Sequence, residues 1–108
     1  MNVTVLRTYA VQVEEVAKLE LAELSHALQQ TANRMAMLES RAKEDADRYL
    51  LQVRAGSTVD QVYGHLDAMD QAIAARKGLE RVLAAEQTKM EQKRAELLEA
   101  MQYRKKLD

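Results

Sequence analysis

The sequence predicts an all-α fold, a two-helix antiparallel coiled-coil hairpin. Three observations carry this reading. The 108 residues contain no proline, so nothing in the chain forbids a helix from continuing. The one clear break in the helical pattern is Arg54-Ala55-Gly56-Ser57-Thr58, at the midpoint. The composition is that of long helices, with 31% charged residues of mixed sign, abundant alanine and four tyrosines as the only aromatics. A compact core draws on Phe or Trp for bulk, and the chain has neither. The whole of 1–108 therefore reads as one antiparallel coiled coil.

Helix one is predicted over about 5–53. Its seam is Leu21, Leu24, Leu28, Thr31, Met35, Leu38, Ala42, Asp45 and Tyr49. These steps alternate three and four, the spacing of a coiled-coil face. Upstream, Leu6, Val13 and Val16 continue an apolar stripe at shifted phase. Glu14/Lys18, Glu39/Lys43 and Glu44/Arg48 are i,i+4 pairs in the favourable order, worth ~0.2–0.5 kcal/mol each on an exposed face.

The bend is predicted at 55–58 and helix two over about 59–106. Thr58 is the expected N-cap, with Gln61 as its reciprocal partner. Ser57 with Asp60 is a second option. Two seven-residue rows follow. One runs Val62, Met69, Arg76, Leu83, Met90, Leu97, Arg104. The other runs Val59, Leu66, Ile73 and turns polar at Glu80, Gln87 and Arg94 before Met101. The seam thus reads as cleanest beside the bend, and stability is expected to concentrate there. Gly64 and Gly78 each cost about 1 kcal/mol against alanine inside a helix. A bend at Gly56 places Tyr49 near Tyr63, Leu38 near Ala74 and Leu28 near Ala84, with both chain ends together. At about 1.5 Å per residue, each arm would span roughly 75 Å.

Net charge is -1, which gives no electrostatic case for nucleic acid or an anionic membrane as the main partner. The charge is uneven, however. Glu14, Glu15, Glu20 and Glu23 make the first arm acidic, while Lys89, Lys93, Arg94, Arg104, Lys105 and Lys106 make the end of the second basic. There is no cysteine, hence no disulfide framework, thiolate metal site or thiol nucleophile. No apolar run approaches the roughly 18 residues of a membrane span. The first ten residues lack the pattern of a secretory signal, and the chain is compatible with the cytosol.

Chemistry-bearing patterns are sparse. Glu23-Leu24-Ser25-His26 has Glu-x-x-His spacing, which di-iron bundles use twice. No second copy exists, because Val62 stands three residues before His65. A solvated histidine is the favoured reading, and no metal or other cofactor is expected. Gly56, Gly64 and Gly78 are scattered and form no phosphate cradle, and no nucleophile–base order is present, so no enzyme is expected. Met35, Met69 and Met90 belong to the seam, whereas Met37 falls off it as a contact candidate. Tyr9 and Tyr103 are expected near the chain ends, Tyr49 and Tyr63 near the bend. Arg104-Lys105-Lys106 fits either an acidic partner or the dipole at a helix C-terminus.

Three stretches are similar to the FliJ family of flagellar type III export proteins. They are Val53-Arg54-Ala55-Gly56-Ser57, Tyr63-Gly64-His65-Leu66-Asp67-Ala68-Met69-Asp70-Gln71-Ala72-Ile73, and Ala95-Glu96-Leu97-Leu98-Glu99-Ala100-Met101-Gln102-Tyr103-Arg104-Lys105-Lys106-Leu107. The charged, alanine-rich arm from Leu6-Arg7 to Leu28 fits as well. Ala46-Asp47-Arg48-Tyr49-Leu50 matches in part the Tyr-Arg-x-x-Tyr-like stretch that many members carry before the bend.

The resemblance implies a cytoplasmic stalk, peripheral at the inner membrane through its partners alone. Those partners would be the export ATPase hexamer, the cytoplasmic domain of the membrane export gate and export chaperones, with no nucleic acid. The end carrying both termini would enter the ATPase ring, which makes Leu6, Arg7, Arg94, Tyr103, Arg104, Lys105 and Lys106, beside Leu107, the candidate contacts. Arg41, Arg48, Tyr49, Tyr63 and Leu66 are the candidates for the gate. Two rival readings are a generic, prefoldin-like assembly module and a metal-binding bundle formed by dimerisation.

Overall fold

In the computed structural model, residues 2–108 are described. They form two helices, α1 (Val3–Ala55) and α2 (Val59–Leu107), and no strand occurs among them. The all-α two-helix hairpin is the architecture, and α1 outruns its predicted bounds at both ends. Asn2 caps α1, its Oδ1 accepting from the Thr4 N–H at 2.9 Å. Such a cap occupies one of the four N–H groups that a helix start leaves unpaired.

The reversal takes three residues. Gly56 follows the last residue of α1 with φ of 101°, a left-handed conformation that glycine adopts without strain. Its N–H donates to the Val53 carbonyl at 3.2 Å. Thr58 then starts α2 as predicted. Its N–H donates to Gln61 Oε1 at 3.0 Å, and its Oγ1 accepts from the Gln61 N–H at 3.2 Å. This reciprocal pair is a capping box. Ser57 does not cap; its hydroxyl is buried without a hydrogen-bond partner.

Two compact units divide the chain. One comprises Met1–Gln29 with Ala84–Asp108, the other Gln30–Leu83. Within each, α1 and α2 pack antiparallel. In the unit of the chain ends, Glu14 pairs with Arg104 and Glu20 with Lys93. In the unit of the bend, Glu39 approaches Arg76 at 3.6 Å, and the Tyr49 ring stacks on His65 with centroids 3.7 Å apart. Tyr49 thus faces His65, two positions beyond the Tyr63 that the sequence led us to expect.

Burial confirms part of the seam and corrects the rest. From Leu21 to Leu38 every predicted seam position on α1 is buried or half-buried, and Tyr49 is half-buried, but Ala42 and Asp45 are exposed. Upstream the buried positions are Ala10, Glu14 and Ala17, not Val13 and Val16, which face solvent. The three-four steps of the Leu21 seam simply continue towards the N-terminus.

On α2 the row through Val62, Leu83, Met90, Leu97 and Arg104 is in place, although Met69 and Arg76 within it are exposed. Its companion is one residue earlier than expected: His65, Ala72, Leu79, Glu86, Lys93, Ala100 and Leu107 are half-buried. Val59, Leu66 and Ile73 are exposed instead. Burial is therefore not richest beside the bend. Of the five buried residues among those described, Ala10, Glu14, Ala17 and Met90 lie in the unit of the chain ends and Thr31 in the other.

Two of the three predicted i,i+4 pairs also rearrange. Glu14 and Lys18 meet at 3.5 Å. Glu39 turns instead to Arg76 on α2, and Arg48 pairs with Asp45, three residues back.

A Cβ added at Gly64 or Gly78 would meet nothing within 4 Å. Gly64→Ala and Gly78→Ala should each therefore stabilise the fold by up to about 1 kcal/mol. Gly56→Ala should cost about 1–2 kcal/mol, because an L side chain is strained at that φ. Urea unfolding measures all three. In the same assay Met90→Ala, at a buried seam position, should cost about 2–4 kcal/mol and exceed Leu38→Ala, which removes a half-buried side chain.

Candidate interaction surface

The described residues contain no group of three or more His, Asp or Glu side chains arranged to hold a metal ion. Glu23 and His26 are both exposed. What the described residues present is surface: ion pairs, exposed aromatics and apolar side chains left over when two helices cover one stripe each.

The unit of the chain ends holds a clasp that charge patterning did not reveal. Glu14 is buried, and a buried carboxylate needs a partner. Arg104 supplies it across the helix pair, with its own side chain 26% exposed. Arg104 Nη1 also donates to Asp108 Oδ2 at 2.9 Å. Asp108 in turn lies 3.3 Å from Arg7 Nε, and Arg7 Nη2 donates to the Leu107 carbonyl at 2.8 Å. Arg104, expected as a solvent-facing cation, is thus drawn into the interface, and Arg7, exposed as expected, joins the same network through Asp108.

The guanidinium of Arg104 holds the Glu14 carboxyl below the ordinary glutamate range, against an opposing effect of burial, and Arg104 is itself raised by that hydrogen bond. A second cross-helix contact, Lys93 with Glu20, is shared with Glu96 on α2 at 2.9 Å. Hydrogen bonds to Glu20 and then Glu96 raise Lys93 above the usual lysine value.

Of the remaining terminal candidates, Leu6 is half-buried. Tyr103 is 45% exposed. Arg94, Lys105 and Lys106 are exposed, and none of them forms an ion pair with another described residue. Of the candidate cations at this end, those exposed and without an ion pair are therefore Arg94, Lys105 and Lys106.

The candidates in the unit of the bend do not form one cluster. Tyr49 is half-buried and committed to its stack on His65. Arg48 beside it is held by Asp45. Tyr63 and Leu66 are exposed on α2. Arg41 is exposed on α1 and belongs to a different groove, with Arg34 and Met37.

Sequence reasoning missed Glu14, His65 and Lys93. Stepping by three and four upstream of Leu21 finds Ala17, Glu14 and Ala10. No comparable signal marks His65 or Lys93, because the row they occupy is half polar. Compared with protein-family models, curated proteins and solved structures, the chain gives no match.

The direction at Glu14 fixes a pH dependence. A carboxyl depressed in the folded state contributes stability that is complete above its unfolded value and lost as pH falls through the folded one. Thermal melting should show the wild type losing stability from about pH 4.3 downward. Glu14→Gln should be less stable at neutral pH and should decline less steeply over that acid range.

Proposed function

We propose that this chain is a non-enzymatic coiled-coil stalk of a flagellar or related type III export apparatus. It couples an export ATPase ring to the cytoplasmic part of a membrane export gate, and export chaperones are further partners. It works in the cytoplasm and reaches the membrane only through its partners; no described helix is long and apolar enough to cross one. The reading is supported by the sequence resemblance described above. One structural observation carries it further: Arg94, Lys105 and Lys106 stand exposed, beside Tyr103, in the unit that contains both chain ends. A part that must turn or shift inside a ring is poorly served by one deep hydrophobic contact. Exposed cations give an attraction that is screened by salt and tolerant of rotation.

The clasp sharpens the test. Arg104→Glu would set a second carboxylate against Glu14, so its effect would mix partner binding with folding. The informative variant reverses Arg94, Lys105 and Lys106 to glutamate. It should lower stimulation of the hexameric ATPase from the same organism by about tenfold, with the melting temperature almost unchanged. Unchanged stimulation would remove the physical basis of the stalk reading.

The rival is a prefoldin-like assembly module that buries its outer faces against other helices. The exposed side chains of Val5, Tyr9, Val16 and Leu19 favour it. A stable oligomer of the purified chain that protects these residues, together with unchanged ATPase stimulation, would establish it instead.

A further inference from the structure

Within Gln30–Leu83 the two helices leave an open groove of about 600 Å³. Its wall is apolar: Met37 is 55% exposed and Val82 48%, with Leu38 and Leu79 beneath them. Arg34 and Arg41 line it from α1, one heptad apart, and no carboxylate lines it. Among the described residues neither arginine has an ion-pair or hydrogen-bond partner. Gly78 also lines the groove, with open space where a Cβ would stand.

These features match one half of a helix–helix interface. In a coiled coil, apolar knobs fill the seam while charged residues one heptad apart flank it and choose the partner by charge. Here the flank is present and positive, the apolar stripe is present, and both lack a counterpart. A glycine inside a helix costs about 1 kcal/mol, and its bare backbone lets a neighbouring helix approach closely. The comparable groove in the other unit differs: Glu20, Glu23 and Glu96 line it beside Lys89 and Lys93, and Lys93 is already paired with Glu20 and Glu96.

We infer that this groove receives an amphipathic helix of another protein, one bearing acidic side chains a heptad apart beside an apolar stripe. Carboxylates at that spacing meet Arg34 and Arg41 while the stripe covers Met37 and Val82. The inference rests on the groove alone and holds whether or not the chain serves protein export.

The test uses the full chain and two fluorescein-labelled three-heptad peptides. Both carry leucine at the a and d positions; one has glutamate at e and g, the other lysine. Anisotropy at low salt should show the glutamate peptide binding about tenfold tighter than the lysine peptide. Replacing Arg34 and Arg41 together by glutamate should reverse that order. Gly78→Leu fills the groove and should weaken both peptides, with circular dichroism reporting that each variant remains helical. Three results would overturn the inference: equal binding of the two peptides or none, full affinity in Gly78→Leu, or self-association of the chain in sedimentation equilibrium that Arg34/Arg41 reversal abolishes. The last would make a second copy the occupant.

Discussion

A helix pair covers only one stripe on each of its members, and which stripe is covered here depends on Gly56. The reversal uses three non-helical residues, Gly56, Ser57 and Thr58. The positive φ of Gly56 and the two-way bond between Thr58 and Gln61 leave little freedom in where α2 begins. The first residue of α2 is thereby set in rotation about its axis as well as in height. Tyr49 meets His65, and Val59, Leu66 and Ile73 are turned out to solvent. The surface on which partners can act is, in this sense, the complement of a choice made at one glycine.

The network of Glu14, Arg104, Asp108 and Arg7 shows how charge is divided between architecture and surface. Removing one partner of a buried pair leaves the other desolvated and uncompensated, which costs far more than losing an exposed pair. The cations near the chain ends therefore separate into two kinds. Arg104 holds the two helices together, with Arg7 tied to it at the surface through Asp108, while Arg94, Lys105 and Lys106 remain unpaired in water. Counting charge along the sequence merges the two, and mutagenesis that treats the basic end as one patch would inherit that confusion.

What was legible in the sequence was local. Missing proline, a Gly-Ser-Thr break and the Thr58/Gln61 spacing act within a turn or two of the chain, and each predicted the structure closely. The Leu21–Leu38 seam was legible because large apolar side chains at three-four steps leave no competing phase. On α2 the sequence offers two apolar rows beside Val62, and hydrophobicity favours the wrong one. Leu66 and Ile73 are larger and greasier than His65 and Ala72, yet the latter pair is inside. The decision was made by the opposing helix through the rotation set at the bend, and that information is non-local. Glu14 was hidden for a related reason: its burial depends on Arg104, ninety residues away. Of the proposed contact residues, the sequence located the exposed cations but could not distinguish them from those consumed in packing.

The capped three-residue reversal also governs how such a chain can change length over evolution. One residue added to either helix turns everything beyond it by about 100°, which would carry Glu14 or Arg104 off the shared interface. Compensation inside the bend is closed off, because its glycine and cap are both committed. Length changes that keep the pairing undistorted are whole seven-residue units, inserted at facing positions of both helices at once; insertions of three or four residues keep it only by locally overwinding or unwinding the pair. A lone insertion in one helix should accordingly be accompanied by a local loop, by a change in winding or by exchange of the residues that make the clasp.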